Sequence, residues 1–313
     1  MPRPETNPFP PSHHMSHGER KDSLVGIESC YSTSVFSGEG FAGNPCQCFL
    51  INSEVTDAQC ADISSYSEFT CSFLRRVGNA LRVRCYKAGV RIAFCGHGLV
   101  AAIHVWAQRQ GLWQGEHSFG NYSLHVDDGR GGSLAQWHRQ RLWLSVAIEP
   151  CRDLSMPYDI DQWFDPAPEL MAHCGGDSDY RIFAWGGGMD IATVAINLEW
   201  LSSGGDGSDR PDLHTQENNI PTQNSGKRAM ILTQAERIDA HQFTLRYLAP
   251  QYDVREDPAT GSAAAVATRF WFERGMKPPF YVEQRSPGGG GLILTDICAD
   301  RVLISGTVIV RGT

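Results

Sequence analysis

The chain has 313 residues, 41% of them apolar and 20% charged, a balance that lets a globular protein bury a large core without disulfide or metal staples. Its formal net charge of -8 argues against nucleic acid as a partner, because phosphate binding wants a basic face. No run of 18 apolar residues is present, so no membrane-spanning helix is expected.

The first 22 residues hold Pro2, Pro4, Pro8, Pro10, Pro11, His13, His14 and His17 and no apolar stretch of the signal-peptide kind. They read as a disordered leader over 1–26, ahead of an N-terminal lobe over 27–145 and a C-terminal lobe over 146–313. The His-His-x-x-His pattern binds metal only opportunistically on a flexible tail, and no metal site is assigned. The ten cysteines form no C-x-x-C pair and no zinc-type spacing. They read as reduced thiols of a cytoplasmic protein, with Cys46 and Cys48 on one face of a strand.

Strands are expected over Ser29–Phe36 and Cys46–Ile51, joined by the glycine-rich turn Gly38–Pro45. Thr56–Ser65 reads as a short helix capped by Thr56 or Asp57. Alternation predicts a strand over Ser67–Leu74. Leu81–Tyr86 and Val90–Phe94 follow, the latter running into Cys-Gly-His-Gly. His97–Arg109 is small and apolar and stops at Gly111, a helix with a glycine end. In the second half, Tyr180–Trp185, Ile191–Leu198, Met230–Thr233 and Phe243–Leu248 read as strands, and the polar stretch 202–227 as a surface insertion. A second alanine-rich helix opens at Gly261 and ends at Gly275. The tail from Pro279 reads as three strands around Ser-Pro-Gly-Gly-Gly-Gly.

Gly96 and Gly261 each open an alanine-rich helix, Trp106 and Trp271 each follow ten residues later, and Ala102 and Ala267 hold the same place between them. The two halves share one unit, which points to duplication of an α+β lobe. Two related lobes meet at a cleft, where small molecules bind. A helix N-terminus carries unpaired N–H groups and partial positive charge. Gly96-His97-Gly98 and Gly261-Ser262-Ala263 are therefore two candidate anion cradles. Around them stand proton-transfer groups: Cys95 and His97 at the first turn, Glu256, Asp257, Thr260 and Ser262 at the second. Neither turn carries an arginine that would announce a second carboxylate, although Arg246 and Arg255 lie nearby in sequence.

These motifs carry a family resemblance. The segments FAGNPCQCFLI, IAFCGHGLVAAIHVW, LRYLAPQYDVREDPATGSAAA, VEQRSPGGGGLIL and VLISGTVIVRGT resemble, in order, the motifs of the PhzF (phenazine-biosynthesis) family, and the similarity runs from about Glu28 to Thr313, broken at 202–227. The resemblance implies an α+β fold of the diaminopimelate-epimerase type, with two pseudo-symmetric lobes, each a curved, mostly antiparallel sheet around a central helix. It implies a homodimer, no metal and no organic cofactor. It also implies proton-shift chemistry on a small acid, amino-acid-derived or conjugated.

The family's catalytic glutamate precedes the strand leading to the histidine motif. Counted from Ala61 it falls on Glu68; counted back from Phe73 it falls on Thr70. Glu68 is the expected general base, best served by burial that raises its pKa. His97 would relay or orient the proton and Asp257 would hold a substrate amine or hydroxyl. N–H groups at Gly96, His97, Gly261 and Ser262 would stabilise enolate-like charge. Asn44 and Cys95 complete the expected cleft. Two other readings stand beside this one. Cys95 matches one of the two thiols of related racemases, but the second turn offers Asp257 and no cysteine, leaving a one-thiol or Cys/Asp epimerase. The third is a catalytically silent small-molecule-binding protein on the same scaffold.

Overall fold

The computed structural model describes residues 26–52, 55–78, 80–92, 94–111, 122–127, 133–138, 141–174, 180–197, 229–249, 255–287 and 289–312. The expected leader, apart from Gly26, and the 202–227 insertion lie outside these residues. The first half contributes strands β1 (Ile27–Ser37), β2 (Asn44–Ile51), β3 (Thr70–Val77), β4 (Ala80–Lys87), β5 (Val90–Ile92), β6 (Tyr122–Asp127), β7 (Ser133–His138) and β8 (Arg141–Ala147). The second half contributes β9 (Cys151–Leu154), β10 (Phe164–Asp165), β11 (Leu170–Cys174), β12 (Tyr180–Trp185), β13 (Ala195–Ile196), β14 (Ala229–Gln234), β15 (Gln242–Leu248), β16 (Phe280–Gln284), β17 (Gly291–Cys298), β18 (Arg301–Ser305) and β19 (Thr307–Gly312). The α-helices among the described residues are α1 (Asp57–Ser65), α2 (Gly96–Arg109) and α3 (Gly261–Glu273).

The duplication is visible in the pairing. In the first half β1 runs antiparallel to β2, β2 parallel to β3, β3 antiparallel to β4, β4 parallel to β6, and β6, β7 and β8 antiparallel in turn. In the second half β11, β12, β14, β15, β16, β17 and β18 repeat that sequence of orientations step by step. The two repeats join where β8 and β18 pair antiparallel. After each repeat the chain crosses over. β9 leaves the first repeat to pair with β11, and β19 leaves the second to pair with β1. One ribbon of sheet thus runs from β19 to β9 and curls around α2 in one lobe and α3 in the other.

Helices at the centre of a sheet must be apolar and slim on all sides. In α2, Leu99 to Ile103 are all buried, and in α3 the whole run Gly261–Thr268 is buried. Alanine at 101, 102, 263, 264, 265 and 267 lets the sheet close around each helix. Gly111 (φ +67°) and Gly275 (φ +98°) stop the helices in the left-handed region that glycine adopts without penalty. On the outside of the N-terminal lobe, α1 begins in a capping box. The Thr56 side chain accepts from Gln59 N–H, and Gln59 reaches back to Thr56 N–H.

Three expected elements differ. Ile191–Leu198 is not a strand: Ile191–Thr193 forms a single 3-10 turn capped by Asp190, followed by the two-residue β13. The tail holds four strands rather than three, because Gly306 breaks the last apolar run into β18 and β19. β3 begins at Thr70, not Ser67. The Ser67 hydroxyl bonds Phe69 N–H and C=O at 3.1 Å and holds the preceding residues in a bend.

His104 lies within α2, where burial pushes its pKa down to about 4, whereas an unfolded imidazole titrates near 6.5. The unfolded chain therefore binds the proton first. His104 stability is fully present above about pH 6.5 and is lost as pH falls from there toward about 4, on the order of 3 kcal/mol at about 1.4 kcal/mol per unit. Urea denaturation across that window is expected to show falling stability, and His104→Leu should flatten the slope.

Candidate active site

The site is built where the two repeats touch. Gly43 (φ +76°) turns the chain into β2, and a Cβ there would lie 2.5 Å from the carbonyl oxygen of Val35, so only glycine fits. The turn is tied to the opposite lobe by Gly43 N–H donating to Gly290 O at 3.0 Å and Ala42 N–H donating to Gly289 O at 3.2 Å. This aims the next residue, Asn44, at the second repeat. Asn44 Nδ2 donates to Ala259 O at 2.7 Å and to Asp257 Oδ2 at 3.0 Å, and it lies 3.4 Å from His97 Nδ1. One amide thus joins β2 and the start of α2 to the loop before α3.

Asp257 is fixed from several sides. Its N–H donates to Tyr247 O at 3.0 Å. Gln284 Nε2 donates to its carbonyl at 2.6 Å, and Gln284 Oε1 accepts from Thr260 N–H at 2.6 Å. The Thr260 hydroxyl donates to Asp257 Oδ2. The neighbouring Glu256 is held by Arg246, whose Nε and Nη2 each reach a carboxylate oxygen at 2.9 Å, a bidentate pair. Arg246 Nη1 also donates to Val194 O at 2.9 Å. Arg246 and Glu256 are therefore scaffolding for the loop, while Arg255 is exposed.

His97 is buried, and that burial holds its pKa below the ordinary imidazole value, with Asp257 pulling it upward and Lys87 downward. The ring is neutral at pH 7. Cys95 Sγ lies 3.6 Å from His97 Nδ1. Its hydrogen bond with Cys85 and its burial keep Cys95 a protonated thiol, well above the usual thiol pKa. Behind it, Ser72 Oγ lies 3.4 Å from both Cys46 Sγ and Cys85 Sγ and donates to Gly98 O at 3.0 Å.

The two helix N-termini abut, where facing walls of a cleft were expected. A Cβ on Gly96 would lie 3.0 Å from Ser262 N and 3.2 Å from the Cα of Gly261. The N-caps match as well: Cys95 (φ -133°, ψ 90°) and Thr260 (φ -126°, ψ 103°) are both extended and neither side chain caps its helix. Two partial positive charges meet at one seam, a setting that favours an anion in front of both. Asn44, Cys95, Gly96, His97, Asp257, Gly261 and Ser262 are thus assembled together.

Glu68 is not joined to them. Its side chain is exposed on the bend ahead of β3, and its one hydrogen bond among the described residues is Lys87 Nζ donating to its backbone carbonyl at 2.9 Å. The shared strand face expected for Glu68 and Thr70 does not form, because β3 starts at Thr70, which is buried opposite Cys46. Two contributors escaped the sequence reading. Gln284 is fully buried on the inward phase of β16, beside Phe280 and Val282. A polar residue at an inward position was the available signal. Phe36 is fully buried at φ +66°, and its ring packs where Cβ atoms of Gly261 and Gly306 would otherwise stand.

The fold is the two-lobed α+β type shared with solved PhzF-family and epimerase structures. The family model for phenazine biosynthesis-like proteins (PhzC-PhzF) matches residues 33–132 and 208–294, and the chain belongs to that family. An uncharacterized isomerase of Pseudomonas aeruginosa is 25% identical over 264 residues, 84% of this chain and 88% of the relative. A crystal structure of a PhzF-family protein from Enterococcus faecalis superposes with a TM-score of 0.69 at 18% identity, covering 91% of this chain and 97% of that one. A probable proline racemase from Agrobacterium radiobacter, solved with carbonate, shares the fold at a TM-score of 0.57 and 13% identity, covering 91% of both chains.

Gln284 is expected to behave as a clamp on the Asp257 turn. Gln284→Leu removes its bonds to Asp257 and Thr260 and leaves the buried Thr260 N–H unpaired, which costs about 1–3 kcal/mol. Denaturant titration should show at least that loss. A variant as stable as wild type would mean that the turn is held without Gln284.

Proposed function

We propose that this chain is a cofactor-independent isomerase that moves a proton on a small carboxylic acid, amino-acid-derived or conjugated. The observation that carries the reading is the Asn44 amide, which holds the Asp257 carboxylate of one lobe beside the neutral His97 of the other. The substrate carboxylate sits before the paired N-termini of α2 and α3, where backbone N–H groups offset the charge that develops on proton removal. Asp257 takes or returns the proton, and the neutral His97 donates on the other side of the reacting system.

This reading moves the base role from Glu68 to Asp257. An exposed carboxylate on a bend is neither desolvated nor positioned, whereas Asp257 is fixed by Asn44, Thr260 and Gln284. A one-thiol epimerase has less support, because a thiol held protonated by Cys85 and by burial is a poor base.

Solvent-deuterium incorporation into a panel of small amino and unsaturated acids, followed by mass spectrometry, tests the reading. On an acid that exchanges, Asp257→Asn should lower the exchange rate by about 10²–10⁴-fold. Glu68→Gln and Cys95→Ser should each cost less than about tenfold. A dead Glu68→Gln enzyme beside an active Asp257→Asn enzyme would return the base role to Glu68. A dead Cys95→Ser enzyme would favour the thiol mechanism. Binding of an acid without exchange in wild type would favour the silent binding protein.

A further inference from the structure

The crossover strand β9 carries a cysteine at its first position, and β11, its partner in the second lobe, ends on another. In the antiparallel register Cys151 stands directly opposite Cys174. Facing residues on antiparallel strands have Cα atoms about 4.5–5.5 Å apart and side chains on one face. That spacing lies inside the window of about 4.4–6.8 Å that a disulfide accepts without moving the backbone. The two thiols are hydrogen-bonded to each other, which, ahead of burial, holds Cys151 well above the ordinary thiol pKa. Cys174 Sγ also donates to Glu149 O at 3.2 Å.

The surroundings hold the pair in place. Cys151 N–H donates to Glu273 Oε2 at 3.1 Å, and Arg274 pairs with Asp153 two residues further along β9. The start of the crossover strand is therefore fastened to the C-terminal end of α3. Cys174 is fully buried in the main core, whereas Cys151 is partly exposed at its edge. A small oxidant in solvent meets Cys151 first.

We propose that Cys151 and Cys174 are a peroxide-oxidisable dithiol that closes into a disulfide and fastens the crossover strand β9 to the second lobe. The small fraction of Cys151 present as thiolate attacks one oxygen of hydrogen peroxide and the O–O bond breaks, a slow step because pairing and burial hold this thiol largely protonated. The products are a sulfenic acid on Cys151 and hydroxide, which takes up the proton released by the thiol to give water. The Cys174 sulfur then attacks the Cys151 sulfur, the S–O bond breaks, and a second water leaves with the Cys174 proton. In sum, two thiols and one peroxide give one disulfide and two waters. Cys151 is the residue oxidised first and Cys174 the resolving residue, an order that follows from their exposure. The bond closes the chain from 151 to 174, the whole excursion through β9, β10 and β11. Its main effect falls on the unfolded state, whose freedom it removes.

The test uses the full chain, reduced and then treated with a small molar excess of hydrogen peroxide. Free thiols are blocked with N-ethylmaleimide and the protein is digested without reductant. The expected product is one peptide pair joining Cys151 to Cys174, two hydrogens lighter than the separate peptides, abolished by dithiothreitol. Oxidised protein should melt a few degrees above reduced protein, and neither Cys151→Ser nor Cys174→Ser should show that shift. In Cys174→Ser a dimedone adduct should appear at Cys151, while wild type should show little. Sulfinic acid at Cys151 of wild type with no cross-link would overturn the proposal. So would a disulfide that joins other cysteines, or a melting shift that survives in Cys151→Ser.

Discussion

The backbone contact between Gly96 and Gly261 is the constraint on which the rest of this structure depends. Neither position has a side chain, and a single methyl on Gly96 would press on the backbone of the other helix. The approach sets two helix ends of like polarity against each other, which is unfavourable until a negative group stands before them. Asp257 supplies part of that charge from within the chain, and its hydrogen bonds to Asn44 and Thr260 keep it at the seam. The glycines, the two helix ends and the acidic loop are thus parts of one electrostatic arrangement.

That arrangement belongs to neither lobe alone. Asn44 and His97 come from the first repeat, and Asp257, Thr260 and Gln284 from the second. Phe36, from the first, fills space left by Gly261 and Gly306 in the second. Polar groups buried at such a seam hold their geometry because each has a partner, and each partner lost exposes another unsatisfied group. The geometry of the residues at the seam is set by the same contacts that hold the lobes together.

Much of this was legible in the residues. The Gly96 and Gly261 repeats marked both central helices, because the slim, apolar character that such helices need leaves a dense run of alanine. The Gly43-Asn44 turn and the Asp257 loop were legible for a similar reason: tight backbone and local charge leave local signatures. What failed was register. Glu68 alternates properly with its neighbours, yet the Ser67 hydroxyl bends the chain and β3 starts two residues later. One hydroxyl, bonded to both backbone groups of Phe69, decided which face those residues would see. Gln284 stayed hidden because its partners, Asp257 and Thr260, are more than twenty residues away. Ile191–Leu198 misled because Ile191 and Val194, buried at the two ends of a single 3-10 turn, look like strand residues.

The reciprocal exchange of β9 and β19 bears on how the chain is made. Synthesis proceeds from the N-terminus, so β1 to β8 leave the ribosome while the strand that covers the free side of β1 is still to come. β19 is the last strand among the described residues. Until β19 emerges, the first lobe therefore carries an open edge, the kind of edge that recruits strands from other chains. The second lobe has the opposite history: its covering strand β9 emerges before β11, and its sheet closes as it forms. Although the two halves are built alike, vectorial synthesis makes them unequal, and a chaperone that shields nascent edges would have its work on the first.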